Sequence, residues 1–205
     1  MARSATTYQV RVRVPTLLTL AAACAVASAA PAATDPPEIR AFSPEADTHV
    51  SSSRPGENFG RARVLRVDGD PETTAFLRFR LGRDEAEIAG VTLLLRPTTA
   101  GRARYAVRRV YENDWRERRL TFANAPRRSQ RYVSSTPVRR GMWSAVDVTG
   151  FVDHEDREVS LAITTRAARE ITFGSRESRY GPRLVVQYAR EDDTRDLVRD
   201  AIRRP

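Results

Sequence analysis

Histidine is scarce here, and His49 and His154 are the only two in the chain. A serine triad would have to recruit one of them, and no G-x-S-x-G turn exists to present the nucleophile. His49 falls in an alternating apolar stretch and His154 in the polar run Asp153-His154-Glu155-Asp156, so both read as ordinary strand and loop residues. A glycosidase needs only two carboxylates at a set separation, and among the 26 acidic residues no pair stands out. The chemistry-bearing residues therefore predict a protein that is not an enzyme. No cofactor is expected. The one ion for which ligands could assemble is a structural calcium, held by loop oxygens from Glu45, Asp47, the Asp68–Asp70 turn or the Asp153–Asp156 cluster, none of which has EF-hand spacing.

Binding is the other chemistry these residues could do. All 35 basic residues are arginine, and the formal net charge is +9. Arginine forks match carboxylates, sulfates and phosphates. Sugar recognition adds exposed aromatic faces for stacking. Tyr111, Trp115 and Trp143 lie at strand ends or in a long connection, with Arg108, Arg109, Arg116 and Arg118 close by in sequence. An aromatic platform rimmed by arginine would suit a uronate-rich polysaccharide. The competing reading is that Trp115 and Trp143 plug the ends of the fold. Arg66, Arg78 and Arg80 could form a second basic face, unless acids on neighbouring strands pair with them. No helix-turn-helix, zinc or RNP signature accompanies the arginines, so nucleic acid is not the expected partner.

The elements that must position these residues are strands. Ala75, Leu77, Phe79 and Leu81 alternate with Arg78 and Arg80. Val91, Leu93 and Leu95 repeat the pattern, as do Val159, Leu161 and Ile163, then Ile171 and Phe173, then Leu184, Val186 and Tyr188. Period two with one apolar face is the mark of a half-buried strand. Adding segments near Thr48, Leu65, Val107 and Val146 gives about nine strands with almost no helix signal between them. The fold class predicted is all-β, a two-sheet antiparallel β-sandwich of jelly-roll type. Turns fall at Pro55-Gly56 to Gly60 and at Asp68-Gly69-Asp70-Pro71. From Trp115 to Met142 the pattern breaks into a long connection with a short strand expected at Leu120-Thr121-Phe122.

At the N-terminus Arg3, Arg11 and Arg13 precede the apolar run Leu17–Val26 and the small triplet Ala27-Ser28-Ala29, which reads as an export signal. The run falls short of the roughly 20 apolar residues of a membrane span. Cleavage after Ala29 would remove the sole cysteine, Cys24, and leave a thiol-free secreted or cell-surface protein. Lipidation at Cys24 is the rival reading, although Ala21-Ala22-Ala23 lacks the leucine such sites carry. The organisation expected is a signal peptide over 1–29, a linker over 30–40, one sandwich over 41–189 and a charged tail over 190–205.

Several segments, in order, carry a resemblance. Ala46-Asp47-Thr48-His49-Val50 is followed by Asn58-Phe59-Gly60, Leu65-Arg66-Val67 and the run Ala75–Leu81. Then come WRERRLTFANAP from Trp115, WSAVDVT from Trp143, Phe173-Gly174-Ser175-Arg176-Glu177, and PRLVVQY from Pro182. Together they resemble the DNRLRE-domain family, bacterial exported modules grouped with carbohydrate-binding module family 96, whose characterised members are associated with alginate. Phe59 stands where the family has tyrosine, Phe122 replaces its second tryptophan, and Arg80 stands where the family often has aspartate. The resemblance implies a β-sandwich that binds polysaccharide without catalysis. A cell-surface structural or adhesive module without a glycan ligand is the alternative. Asp47, Asn58, Gly60 and Asp147 are expected to serve structure.

Overall fold

A computed structural model of the protein describes residues 37–82, 87–99, 102–167 and 169–189. The expected leader with Cys24 and the charged tail from 190 onward lie outside them. Among the described residues no helix is long and apolar enough to cross a membrane.

The alternating stretches become strands of two antiparallel sheets. The smaller holds β1 (Ile39–Phe42), β5 (Ile88–Leu95), β8 (Ser144–Asp147) and β11 (Arg183–Tyr188), in the order β1-β11-β5-β8. The larger holds β2 (Ala46–Ser51), β3 (Val64–Gly69), β4 (Glu72–Arg80), β6 (Ala106–Val110), β7 (Val133–Ser134), β9 (Glu158–Thr164) and β10 (Ile171–Gly174). Its order is β10-β3-β4-β9-β6-β7, with β2 pairing along β4. Facing residues of the two sheets make the main core. Leu65, Leu77, Phe79, Leu161, Ile163 and Phe173 of the larger sheet meet Val91, Leu93, Leu95, Val146, Leu184 and Val186 of the smaller, all buried. The chain is thus a β-sandwich, as the period-two patterns predicted.

Three local features differ from expectation. Ile39 and Arg40, read as the end of a linker, open β1, which pairs Ile39 with Gln187 and Phe42 with Leu184. Leu120-Thr121-Phe122 is not a strand: Phe122–Asn124 is a single 3-10 turn. Asn124 fixes it, because its Oδ1 accepts the Thr121 N–H at 2.7 Å and its amide donates to the Arg119 carbonyl at 2.9 Å. Such local side-chain bonds compete with a strand ladder for the same backbone groups.

The third difference matters most. The outer face of the larger sheet is not left to solvent. Ala46, Val50, Phe76, Val110 and Ala162 on that face form a second buried cluster with Trp115 and Leu120, and Phe122 and Ala125 pack against it. The connection after β6 therefore lies over the sheet as a lid.

Candidate functional site

β2 is buried at all six positions, which is unusual for a strand with a free edge. Two segments distant in sequence cover it, and the polar signature residues meet there. Asp47 places its main-chain N–H against Glu117 Oε1 at 2.9 Å. Its Oδ2 accepts the main-chain N–H of Arg176 at 2.6 Å. Asn58 donates to the carbonyls of Glu117 (2.8 Å) and Leu120 (2.7 Å), and its Oδ1 accepts the Gly60 N–H. Gly60 is required at its position because a Cβ there would stand 2.3 Å from the Glu117 carbonyl oxygen. The Arg176 guanidinium donates to the Glu45 carbonyl and stands 3.6 Å from Glu117 Oε1 and 3.4 Å from Glu177 Oε1.

Asp47 is only 2 % exposed, and its Oδ1 has no hydrogen-bond partner. Burial pushes its carboxyl up to about 7, with Glu177 and Glu117 adding to the effect and the Arg176 N–H opposing it. Two residues along, burial and the charges of Arg66 and Arg54 push His49 down to about 4, so its imidazole is neutral near pH 7. The ring stacks on Phe59 with centroids 4.4 Å apart. That contact uses the face of the Phe59 ring and needs no hydroxyl.

The arginines of the exposed-face expectation are paired. Arg80 bonds Glu45 at 2.8 Å and Glu158 at 3.1 Å, and Arg66 meets Glu170 at 3.3 Å. Arg78 donates to the carbonyls of Asn113 (2.6 Å) and Trp115 (2.7 Å), holding the lid to the sheet. Asp147 Oδ1 accepts both the N–H and hydroxyl of Thr149, which holds its carboxyl below the usual range. Thr149 Oγ1 in turn accepts the Val91 N–H, so Asp147 fastens β8 to β5.

Among the described residues a hollow of about 520 Å³ at Arg80 and Arg157 is lined by Glu155, Asp156 and Glu158, and two other surfaces have more arginines than acids. One is a groove of about 700 Å³ over the outer face of the larger sheet, lined by Arg108, Arg127, Arg128 and Arg166 but also by Asp68 and Glu72. Arg128 is bound there to Glu72 at 2.7 Å, and Arg108 to the carbonyls of Ser129 and Gln130. The other lies beside β8, a depression of about 440 Å³ lined by Arg102, Arg139, Met142 and Trp143 with no carboxylate. Gly141, in the left-handed region at φ 74°, turns its carbonyl to Arg96 Nε at 2.7 Å. The Arg96 guanidinium lies 3.6 Å from the centroid of the Tyr180 ring. Arg96 and the charge of Arg179 hold the Tyr180 hydroxyl below its ordinary pKa. Met142 and Trp143, exposed by 62 % and 47 %, line that depression, and Tyr180, exposed by 43 %, is linked to its edge through Arg96 and Gly141.

Residues 38–188 match the family model described as carbohydrate-binding module family 96. The chain belongs to that family. Its partner class is accordingly carbohydrate. A search among curated proteins found no match. The signature segments of this family 96 module converge on β2: Asp47, Asn58, Gly60, Glu117 and Arg176 come from four of them and brace one edge.

Its sequence-predicted contacts disperse. Trp115 is 7 % exposed, edge-on to Phe76, with its indole N–H on Ser160 Oγ at 3.0 Å. It is a core residue and offers no face for a sugar. Arg109 shares the inward face of β6 with Val107 and is 8 % exposed. It is bound to Asp156 at 2.9 Å and to the Phe151 carbonyl. The alternation that buries Val107 buries Arg109 as well, which removes it from any surface platform. Tyr111, Arg116 and Arg118 are exposed, but none of them lines either groove. Trp143 alone of the six sits in a depression with arginines. Arg96, Arg102, Arg139 and Tyr180 were not among the residues singled out from sequence. Tyr180 beside Gly181-Pro182 was the signal available, an aromatic in a turn.

Of the calcium candidates, Asp68 accepts the Asp70 N–H within its own turn, and Glu45 is taken by Arg80. Asp156 is taken by Arg109 and by the Asp153 N–H. Asp47 has different neighbours from those expected, Glu117 and Glu177.

Proposed function

We propose that this module is an exported, non-catalytic binder of anionic polysaccharide, with uronate-rich chains such as alginate as the class it fits, and that the chain lies across Trp143, Arg96 and Tyr180. One observation carries the reading. Exposed Trp143 shares with Arg102 and Arg139 a depression that no carboxylate lines, and the Arg96–Tyr180 pair adjoins it through Gly141. The Trp143 ring gives a pyranose an apolar platform, and Arg102 and Arg139 give its carboxylates bidentate donors. Arg96, which covers a face of Tyr180 and donates to the Gly141 carbonyl, extends the positive surface. The larger groove is less suited, because Glu72 and main-chain carbonyls already occupy two of its arginines. Family membership supports a glycan ligand and a place outside the cell or on its surface. The N-terminal basic and apolar segments support export.

Affinity electrophoresis and calorimetry of the full chain with alginate, polygalacturonate and a neutral glucan test this. Retention on the uronates at low salt is expected, weakening as salt rises. Trp143→Ala should raise Kd roughly tenfold, the worth of about 1.4 kcal/mol of stacking, and Arg102→Ala with Arg139→Ala should do at least as much. No retention on any uronate or sulfated polymer overturns the reading in favour of a structural or adhesive surface module. Loss of binding in Arg127→Ala/Arg166→Ala, with Trp143→Ala unaffected, would move the contact to the larger groove.

A further inference from the structure

We propose that Asp47, Glu117 and Glu177 form a binding site for a hard divalent cation, calcium before magnesium, that fastens the lid and the β10–β11 loop to the edge of β2. The three residues are separated by 60 or more positions in sequence, yet one carboxylate oxygen from each lies within 4.8 Å of the other two. Oxygens on opposite sides of a calcium ion, each at roughly 2.4 Å, stand about 4.8 Å apart; around magnesium that span is about 4.2 Å. Three oxygens within 4.8 Å of one another can share one ion, and calcium's flexible oxygen shell tolerates an irregular set better than magnesium's near-octahedral one.

A second observation is independent of this clustering. Asp47 is 98 % buried, given its 2 % exposure, and its Oδ1 accepts no hydrogen bond. A buried carboxylate oxygen without a donor is costly, and such atoms are rare unless something else satisfies them. The other oxygens near it are differently placed. Asp47 Oδ2 is taken by the Arg176 N–H, Glu117 Oε1 by the Asp47 N–H, and Glu177 Oε2 by the Ser175 hydroxyl at 2.9 Å. Each bond orients its carboxylate and leaves lone pairs free for a metal, as outer partners of ligating carboxylates do.

Among the described residues Arg176 is the cation that meets the group, and it does not satisfy the charge. Its distances of 3.6 Å to Glu117 and 3.4 Å to Glu177 are long for charge-assisted bonds, and its best donor is spent on the Glu45 carbonyl. One guanidinium does not balance three carboxylates held this close, and a divalent ion supplies the missing positive charge. The all-oxygen donor set favours calcium over zinc or copper. Glu177 is the most exposed of the three, so the ion enters from its side and water completes the shell.

The full chain, stripped with EGTA and dialysed, should bind one calcium ion in calorimetry. Its Tm should rise by several degrees in millimolar calcium, because an ion held only by the folded state stabilises it. Magnesium at equal concentration should give a smaller shift. Glu177→Gln, at an exposed position, should fold and bind calcium about tenfold or more weakly, and Asp47→Asn should abolish the response. Absence of heat and of a Tm shift in the stripped protein overturns the proposal, as does a Glu177→Gln variant that binds as tightly as the parent. If Asp47→Asn does not fold, Glu177→Gln decides alone. An Asp47→Asn protein more stable than a parent that ignores calcium would mean that Arg176 alone holds the acids, and would also overturn the site.

Discussion

Replacing Gly60 by alanine tests the brace on β2 with one methyl group. The added Cβ would lie 2.3 Å from the Glu117 carbonyl oxygen and 2.7 Å from its carbon, both main-chain atoms that cannot rotate away. Relief requires the Glu117 main chain to retreat by about 1 Å, and forced backbone shifts of this kind cost roughly 1–3 kcal/mol. The retreat also lengthens two bonds: Asn58 Nδ2 to the Glu117 carbonyl, now 2.8 Å, and the Asp47 N–H to Glu117 Oε1, now 2.9 Å. Each such bond contributes about 1 kcal/mol net. The bonds need not be lost completely, so the expected total is about 2–4 kcal/mol.

For a domain of this size that destabilisation lowers Tm by roughly 5–15 °C. Urea unfolding should show a lower midpoint at an unchanged m-value, since the surface exposed on unfolding stays the same. Gly56→Ala, four residues earlier in the same loop, supplies the control. Nothing lies within 4 Å of its Cβ, and its φ is not positive. There the substitution should be neutral or stabilise by about 0.4–1 kcal/mol through the unfolded chain. If Gly60→Ala falls within about 0.5 kcal/mol of Gly56→Ala, the close approach of this loop to the lid is not what holds β2.

Trp115→Ala should cost about 3–5 kcal/mol of stability, as buried aromatic truncations do, yet under conditions where the variant stays folded its affinity for a uronate polymer should match the parent's. Tyr105, 1 % exposed with its hydroxyl on Ser144, is pushed by burial from 10.0 up to about 12. Between those values the folded state keeps a proton that the unfolded state has lost, so stability falls as pH rises through the window, by about 3 kcal/mol in all. Tyr105→Phe should remove that slope in urea midpoints measured from pH 9 upward; a slope that persists in the variant would refute the assignment to Tyr105.

The sandwich was legible because its information is local. Leu77 and Phe79, Leu93 and Leu95, and Leu161 and Ile163 each state their facing by alternation, and two sheets follow. Alternation also contained the fate of Arg109, two residues from Val107, but charge suggested a surface instead. Burial of that arginine depends on Asp156 and the Phe151 carbonyl in the connection between β8 and β9, partners that no pattern within β6 announces. Trp115 was ambiguous for a related reason. Its neighbours in sequence are arginines and glutamates, whereas its neighbours in space are Phe76 and Ser160. β1 was hidden because four residues next to Pro36-Pro37 carry too short a pattern, and only pairing with β11 makes a strand of them.

The residues that brace β2 and those proposed to meet the glycan are different side chains, although Tyr180 shares the β10–β11 loop with Arg176, and Trp143 belongs both to the family segments and to the proposed contact. Asp47, Asn58, Gly60, Glu117 and Arg176 have polar groups turned on one another, so they can specify an edge of the fold and offer a polymer little. Edge strands invite pairing with other chains, and here β2 is closed by side chains and main-chain groups from two distant loops. Such a closure demands particular residues, since a glycine contact of 2.3 Å and an orphan carboxylate oxygen tolerate few substitutes. Arg102, Arg139 and Tyr180 are under no comparable packing constraint. A module built this way can change its ligand by exchanging exposed arginines and rings while the brace stays fixed. It follows that loss of the brace and loss of the contact should separate experimentally: Gly60→Ala lowers the unfolding midpoint and leaves Kd for the polymer unchanged, while Trp143→Ala does the reverse.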